Sequence, residues 1–165
     1  MEIDRILVFS DSHLQIYGMQ KVLERHRDVE RIIHLGDCTQ DVDDMKALYP
    51  EKAFFAVRGN CDYYSDYPTE DFITVRGRKI LFSHGHLLQV KYGLQTLKRY
   101  AREQNADVML FGHTHVAYTE YEDSLYIMNP GSISQPRRGR PSYGIIDILE
   151  HGIVTNVAQL GGMEG

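Results

Sequence analysis

Five apolar runs, each ending at a short block of metal-type ligands, constrain the fold of this chain more than any other feature. The blocks are Asp11-Ser12-His13, Gly36-Asp37, Gly59-Asn60-Cys61-Asp62, Ser83-His84-Gly85-His86 and Gly112-His113-Thr114-His115. Runs of this kind read as β-strands, and in α/β sheets ligands gather beyond the carboxyl ends of the strands. Residues far apart in sequence can then meet along one rim, so the fold has to be one that aligns those ends.

The apolar run Ile6 to Ser10 is continuous, as expected for a strand buried on both faces. Gly18 to Arg27 reads as a helix, with Met19, Val22 and Leu23 at helical spacing, and Arg31 to Leu35 as a second strand. A helical pattern from Asp41 to Tyr49 is closed by Pro50, and Lys52 to Val57 is a third strand. This β-α-β-α-β order implies parallel strands with right-handed crossovers. Asp71 to Val75 and Lys79 to Ser83 read as a hairpin around Arg76-Gly77-Arg78. A helix from Leu94 to Asn105, a strand from Val108 to Phe111 and a hairpin of Ala117 to Tyr121 with Leu125 to Met128 follow. Tyr143 to Leu149 and Ile153 to Leu160 are the last strands. The expectation is an α/β protein of two packed sheets with helices outside, forming a single domain over residues 1–165.

A length of 165 residues is enough to bury a real core in one domain. The formal net charge of -5 gives no broad basic field, so stable nucleic-acid binding is not expected. Cys38 and Cys61 make no disulfide framework and fit a reducing compartment. The start Met1-Glu2-Ile3-Asp4-Arg5 lacks the basic opening and long apolar core of a signal peptide, and no stretch approaches a membrane span. The expected location is the cytoplasm, without membrane attachment.

Oxygen and imidazole ligands mixed in this way suit divalent ions of borderline hardness: Mn2+, Fe2+, Ni2+ or Zn2+. Asp11 and His13 are two apart, and on an extended segment would project to one side. Asp-x-His alone also describes a capped turn, and Asp37 alone could be a helix N-cap. Gly59-Asn60 after a strand could be a simple turn, or Asn60 could offer an amide oxygen. His113 and His115 form the strongest local signal, because paired imidazoles at this spacing rarely serve packing. His26, His34 and His151 lie outside the blocks and read as structural or surface residues. Seven ligands are too many for one ion and suit two that share a carboxylate. Paired metals are a recurring device for in-line attack on a phosphate ester.

The ordered set resembles the calcineurin-like binuclear metallophosphoesterase superfamily. The length, the Gly59-Asn60-Cys61-Asp62 block and Asn129-Pro130-Gly131-Ser132 are similar to its small single-domain bacterial and archaeal branch. That resemblance implies a four-layer α/β-β/α sandwich of two mixed sheets flanked by helices. It implies one metal held by Asp11, His13, Asp37 and His115, and another by Asp37, Asn60, His84 and His113, with Asp37 bridging. It is compatible with a homodimer or higher assembly, and suggests a small phosphodiester as substrate. Many members carry histidine where this chain has Cys61, a poorer proton donor. Cys61 also reads as a buried small apolar residue.

The expected chemistry is in-line attack on phosphorus by a metal-bridging hydroxide, with two divalent ions per chain and manganese first among the candidates. Asp37 and Asn60 act within the ligand set, Asp62 orients a histidine ligand, and His86 faces the substrate. Arg137, Arg138 and Arg140 could steer a second phosphate or form a solvated loop, and Tyr63, Tyr64 and Tyr67 could line a pocket or serve packing. The alternative is a protein-interaction scaffold of the same fold, a role taken by a subunit of the eukaryotic retromer complex.

Overall fold

A computed structural model describes residues 3–160. Met1 and Glu2, part of the segment read above as lacking a signal peptide, and residues 161–165, the end of the expected domain, lie outside the described residues.

Among the described residues, ten strands form two five-stranded sheets. The first sheet has β1 (Asp4–Phe9), β2 (Arg31–His34) and β3 (Ala53–Ala56) in parallel. Helices α1 (Tyr17–Arg25) and α2 (Gln40–Leu48) make the two crossovers. Antiparallel β9 (Ser142–Ile148) and β10 (Ile153–Gln159) extend the other side, giving the order β10-β9-β1-β2-β3. The second sheet runs β4 (Glu70–Val75), β5 (Arg78–Ser83), β6 (Val108–Leu110), β8 (Leu125–Asn129), β7 (Tyr118–Glu122). Its centre, β5-β6-β8, is parallel, and both edges are hairpin partners.

Both hairpin turns follow from backbone geometry. Arg76 and Gly77 have φ of +52° and +77°, and Asp123 and Ser124 have +46° and +67°. Two consecutive positive φ values between paired strands mark the turn whose twist matches a right-twisted hairpin.

Ile6, Leu7, Val8 and Phe9 are all fully buried, as their continuous apolar run requires. Ile6 and Val8 face Phe82, Leu110 and Met128 in the core between the sheets. Leu7 and Phe9 point the other way, onto Met19, Val22 and Leu23 of α1 and Met45 of α2. Outside the second sheet, Leu97 and Ala101 of α3 (Gln95–Glu103) cover Leu81, Met109 and Ile127. Four layers result, as expected. Two short 3-10 turns, His86–Leu88 and Val90–Tyr92, have no counterpart in the sequence reading.

Register places the ligand blocks side by side. Phe9 pairs with His34 and His34 with Ala56, so the loops after β1, β2 and β3 leave the sheet at one level. In the second sheet Phe82 pairs with Leu110 and Leu110 with Met128, which aligns the exits at Ser83, Phe111 and Asn129.

Candidate metal centre

The loops that leave these strands are tied to one another through their backbones. Asp11 N–H donates to Gly36 O at 2.9 Å, His13 N–H to Asp37 O at 3.1 Å, and Gly112 N–H to His84 O at 2.8 Å. Five of the proposed ligands sit at positive φ: Asp11 +56°, His13 +46°, Asp37 +49°, His113 +73° and His115 +60°. Residues other than glycine rarely adopt this region, and such strain collects at functional sites. Asp11 and His13 therefore do converge, but through a left-handed turn and not through the alternation of an extended strand.

Asp11 lies at the middle of the cluster and is fully buried. Its Oδ2 accepts from Ser10 Oγ and from His113 N–H at 3.2 Å. Its Oδ1 is buried and, among the described residues, accepts no well-aligned hydrogen bond. That oxygen has His115 Nε2 at 3.1 Å, His13 Nε2 at 3.8 Å and His84 Nε2 at 3.9 Å around it. Asp37 Oδ2 is 3.4 Å from His84 Nε2, while Asp37 Oδ1 accepts from Cys61 N–H at 3.0 Å. Two groups have ligand atoms all within 4.8 Å of one another: Asp11, His13 and His115, and Asp11, Asp37 and His84.

The rings are aimed by their outer nitrogens. His84 Nδ1 lies 2.7 Å from Leu35 O, and His115 Nδ1 lies 2.8 Å from Gln135 O. A carbonyl can only accept, so each Nδ1 carries the proton and each Nε2 turns inward, the usual support of a metal-binding histidine. The inner nitrogens crowd one another: His13 Nε2 and His115 Nε2 are 3.3 Å apart, and His113 Nδ1 and His84 Nε2 are 3.2 Å apart. Carboxylates and imidazole nitrogens converging in a buried space favour positive charge among them, either imidazolium protons or a metal ion. Aspartate and neutral imidazole are a donor set that borderline divalent ions accept, so the residues present fit a metal.

The electrostatics follow from this crowding. Burial works to raise Asp11 and Asp37, but His115 and His84 outweigh it and hold both carboxyls below their ordinary range. Burial works to lower His84, yet Asp37 and Asp11 carry it upward; His115 is raised by Asp11. Burial, helped by the charge of His84, pushes His113 down to about 4 and His86 below its usual value. Asn60 is exposed, and its chain neighbour Cys61 donates its N–H to Asp37.

Close backbone approach explains two glycines. A methyl group at Gly59 would strike the Asp37 carboxylate, and one at Gly36, whose φ is +104°, would strike the Gly59 backbone.

Asp62 corrects one expectation. Its hydrogen bonds run to backbone, not to a histidine ring. Oδ2 accepts from Asp37 N–H at 2.9 Å and Gly59 N–H at 2.7 Å, and Oδ1 from Thr39 N–H at 2.9 Å. One buried carboxylate thus clamps the loop carrying Asp37 to the loop carrying Asn60. Asp37 is no N-cap either, since that position on α2 falls to Thr39. Nor is Cys61 a buried apolar residue: it is exposed, and partial desolvation with Asp37 alongside pushes its thiol up to about 11. His86 is half-buried, and its Nδ1 has no hydrogen-bond partner among the described residues. Its ring centre lies 5.4 Å from that of His84.

Further residues that support these loops were not among the expected site residues, although His34 read as structural or surface and Asn129-Pro130-Gly131-Ser132 as part of the resemblance. His34 is buried and receives Gly36 N–H on Nδ1 at 3.0 Å, so its proton sits on Nε2, 2.9 Å from Ser12 Oγ. Ser12 Oγ donates in turn to Asp41 Oδ2 at 2.6 Å. This chain locks the Asp11–His13 turn to the Gly36 loop. For Ser12 the hint was its place inside a ligand block. On the other flank, Asn129 Nδ2 donates to Gly112 O at 3.2 Å and Thr114 Oγ1 at 2.9 Å, and Ser132 Oγ to Asp11 O at 2.8 Å. The Asn129-Pro130-Gly131-Ser132 block is therefore a buttress.

Two mixed sheets with aspartates and histidines gathered at aligned strand ends define a metal-dependent phosphoesterase architecture. The chain belongs to the calcineurin-like phosphoesterase superfamily, whose domain model matches residues 5–151. It is 37% identical over 146 residues to "Probable metallophosphoesterase YsnB" of Bacillus subtilis (strain 168), covering 87% of this chain and 83% of the relative. It is also 37% identical over 134 residues to phosphodiesterase YfcE of Escherichia coli (strain K12), covering 79% of this chain and 61% of that one. The crystal structure of a predicted phosphoesterase from Streptococcus pneumoniae TIGR4 superposes with TM-score 0.83 at 29% identity, covering 99% of this chain and 95% of the other. Vacuolar protein sorting 29 of Cryptosporidium parvum shares the fold, with TM-score 0.81 at 18% identity over 97% of this chain and 93% of its own. No helix among the described residues is long and apolar enough to cross a membrane.

Proposed function

We propose that this chain is a binuclear metal-dependent phosphodiesterase acting on a small phosphodiester. One observation carries the reading: Asp11 Oδ1, a buried oxygen that among the described residues accepts no well-aligned hydrogen bond, is surrounded by the inward nitrogens of His13, His84 and His115. Asp11, His13, Asp37 and His115 would hold one ion, and Asp37, Asn60, His84 and His113 the other, with manganese preferred over iron, nickel or zinc. The similarity to YfcE, itself named a phosphodiesterase, supports the substrate class. The two free thiols support a cytoplasmic setting, and the chain is taken as one domain.

Bound in pairs, such ions polarise phosphoryl oxygens and lower the pKa of water from 15.7 to about 7. The chain's own residues do the rest. Leu35 O and Gln135 O hold protons on the outer nitrogens of His84 and His115, which fixes how each ring is turned and leaves Nε2 facing inward. Asp62 and the His34-Ser12-Asp41 chain fix the loops, so little reorganisation is left for the reaction. His86, kept neutral by burial, has one N–H with which to hold the leaving oxygen.

One observation favours a second arrangement of the bridge: Asp11, not Asp37, belongs to both close-packed groups. The test is hydrolysis of bis-p-nitrophenyl phosphate by chelator-stripped protein with Mn2+ titrated back, with metal content measured in parallel. Activity should saturate near two ions per chain and vanish in His115→Ala. The bridging carboxylate is the one whose alanine variant loses both ions. Metal binding without turnover would overturn the enzyme reading and leave a scaffold.

A further inference from the structure

A cleft of about 570 Å³ opens beside the ligand cluster, not over it. Its inner wall is Cys38, Cys61 and Asp62, and its outer wall is Tyr63, Tyr64 and Tyr67. The inner wall is one residue removed from the centre on both sides: Cys38 follows Asp37, and Cys61 follows Asn60 and donates its backbone N–H to Asp37. A molecule reacting at the centre therefore has room to extend one arm into this space. The volume lies within the range of roughly 300–1,000 Å³ usual for small-molecule sites.

The outer wall suits a flat ring. Tyr63 is 84% exposed and Tyr64 fully exposed, so their faces are free for a ligand. Tyr67 is held rigidly. Its hydroxyl donates to Asp43 at 2.7 Å, its N–H to Ser65 Oγ at 3.2 Å, its carbonyl accepts from Arg58 at 3.0 Å, and Lys46 Nζ lies 5.0 Å from its ring centre. A fixed aromatic with two exposed tyrosines lining the same cleft offers flat apolar surface on which a ring can stack. The charge lining the cleft selects further. Asp43, Asp62 and Asp66 line it with a single Lys46, an excess of negative charge that repels an additional phosphate. The Arg137-Arg138-Gly139-Arg140 run, tied to the centre through the Arg137 backbone N–H on His115 O at 3.0 Å, does not line the cleft.

We infer that this cleft binds one ester arm of the substrate, and that the arm is neutral, flat and aromatic: a nucleobase or an aryl ring. The inference rests on the phosphodiesterase reading, but part of its test does not. Adenosine and 4-nitroanisole, which carry no phosphate, are titrated into metal-stripped protein and followed by saturation-transfer NMR. Both should bind, and Tyr63→Ala, an exposed position that does not endanger folding, should weaken binding about five- to tenfold, as expected for loss of one stacking face. Binding of adenosine alone assigns a nucleobase, and binding of both assigns aromatic rings in general. Absence of binding, or binding that Tyr63→Ala leaves unchanged, overturns the inference. With Mn2+ restored, kcat/KM for thymidine 5′-(p-nitrophenyl phosphate) and for methyl p-nitrophenyl phosphate, each of which carries a ring, should not both be unchanged in Tyr63→Ala. A fall in the first alone assigns the nucleobase, a fall in both assigns aromatic rings in general, and unchanged values for both overturn the inference. Aromatic binding in a protein that cleaves neither ester would uphold the cleft and overturn the phosphodiesterase reading.

Discussion

Asp11 Oδ1 and His115 Nε2 approach to 3.1 Å in a space from which the carboxylate has been entirely removed from water. Their contact joins the first ligand block to the last, across 104 residues of chain counted from the block numbers 11 and 115. A charge buried this way is stable only with a cation against it.

Metal removal should therefore destabilise the protein, and Asp11→Asn should reduce the difference. At a hundredfold excess over Kd, bound metal adds about 2.7 kcal/mol, or roughly 5–10 °C in Tm for a chain of this size. Differential scanning calorimetry with and without chelator measures this directly. Identical Tm values for wild type in the two conditions would remove the metal reading.

His34 should make the metal-stripped fold sensitive to acid. Burial holds its folded pKa near 4, against an ordinary value of 6.5. The unfolded chain takes up the proton first, so stability falls as pH drops through 6.5 and levels off below about 4. The loss is on the order of 3 kcal/mol. Urea unfolding at several pH values should show the advantage of wild type over His34→Gln shrinking by that order from pH 7 to pH 4. An advantage independent of pH would mean that His34 is not held neutral.

Asp62→Ala leaves the N–H groups of Asp37, Thr39 and Gly59 without their acceptor. Losing the acceptor for several buried donors should cost about 3 kcal/mol or more. Asp62→Asn keeps one oxygen and should recover part of this. Unfolding in chelator reports the loop clamp without interference from metal. A cost in Asp62→Ala that appears only with metal present would instead make the residue a direct partner of the ion.

Much of this was legible in the chain itself, because it depends on local pattern. The buried run Ile6 to Phe9, the stripe Met19, Val22 and Leu23, and the Arg76-Gly77 turn all follow from side-chain periodicity and backbone preference over a few residues. The ligand blocks were visible for the same reason, each being a short string of distinctive chemistry at a strand end. Tertiary structure alone decided what joins them. The pairing of Phe9 with His34 and of Phe82 with Leu110 sets which loops share a rim, and no local pattern encodes a register between distant strands. The positive φ values of Asp11, Asp37 and His115 are imposed by surrounding contacts, since these residues alone would seldom adopt them. Asp62 reaching Asp37, and His34 reaching Ser12 and through it Asp41, span 25, 22 and 29 residues. A polar side chain carries no mark of which distant partner will satisfy it until folding has removed the water that otherwise would.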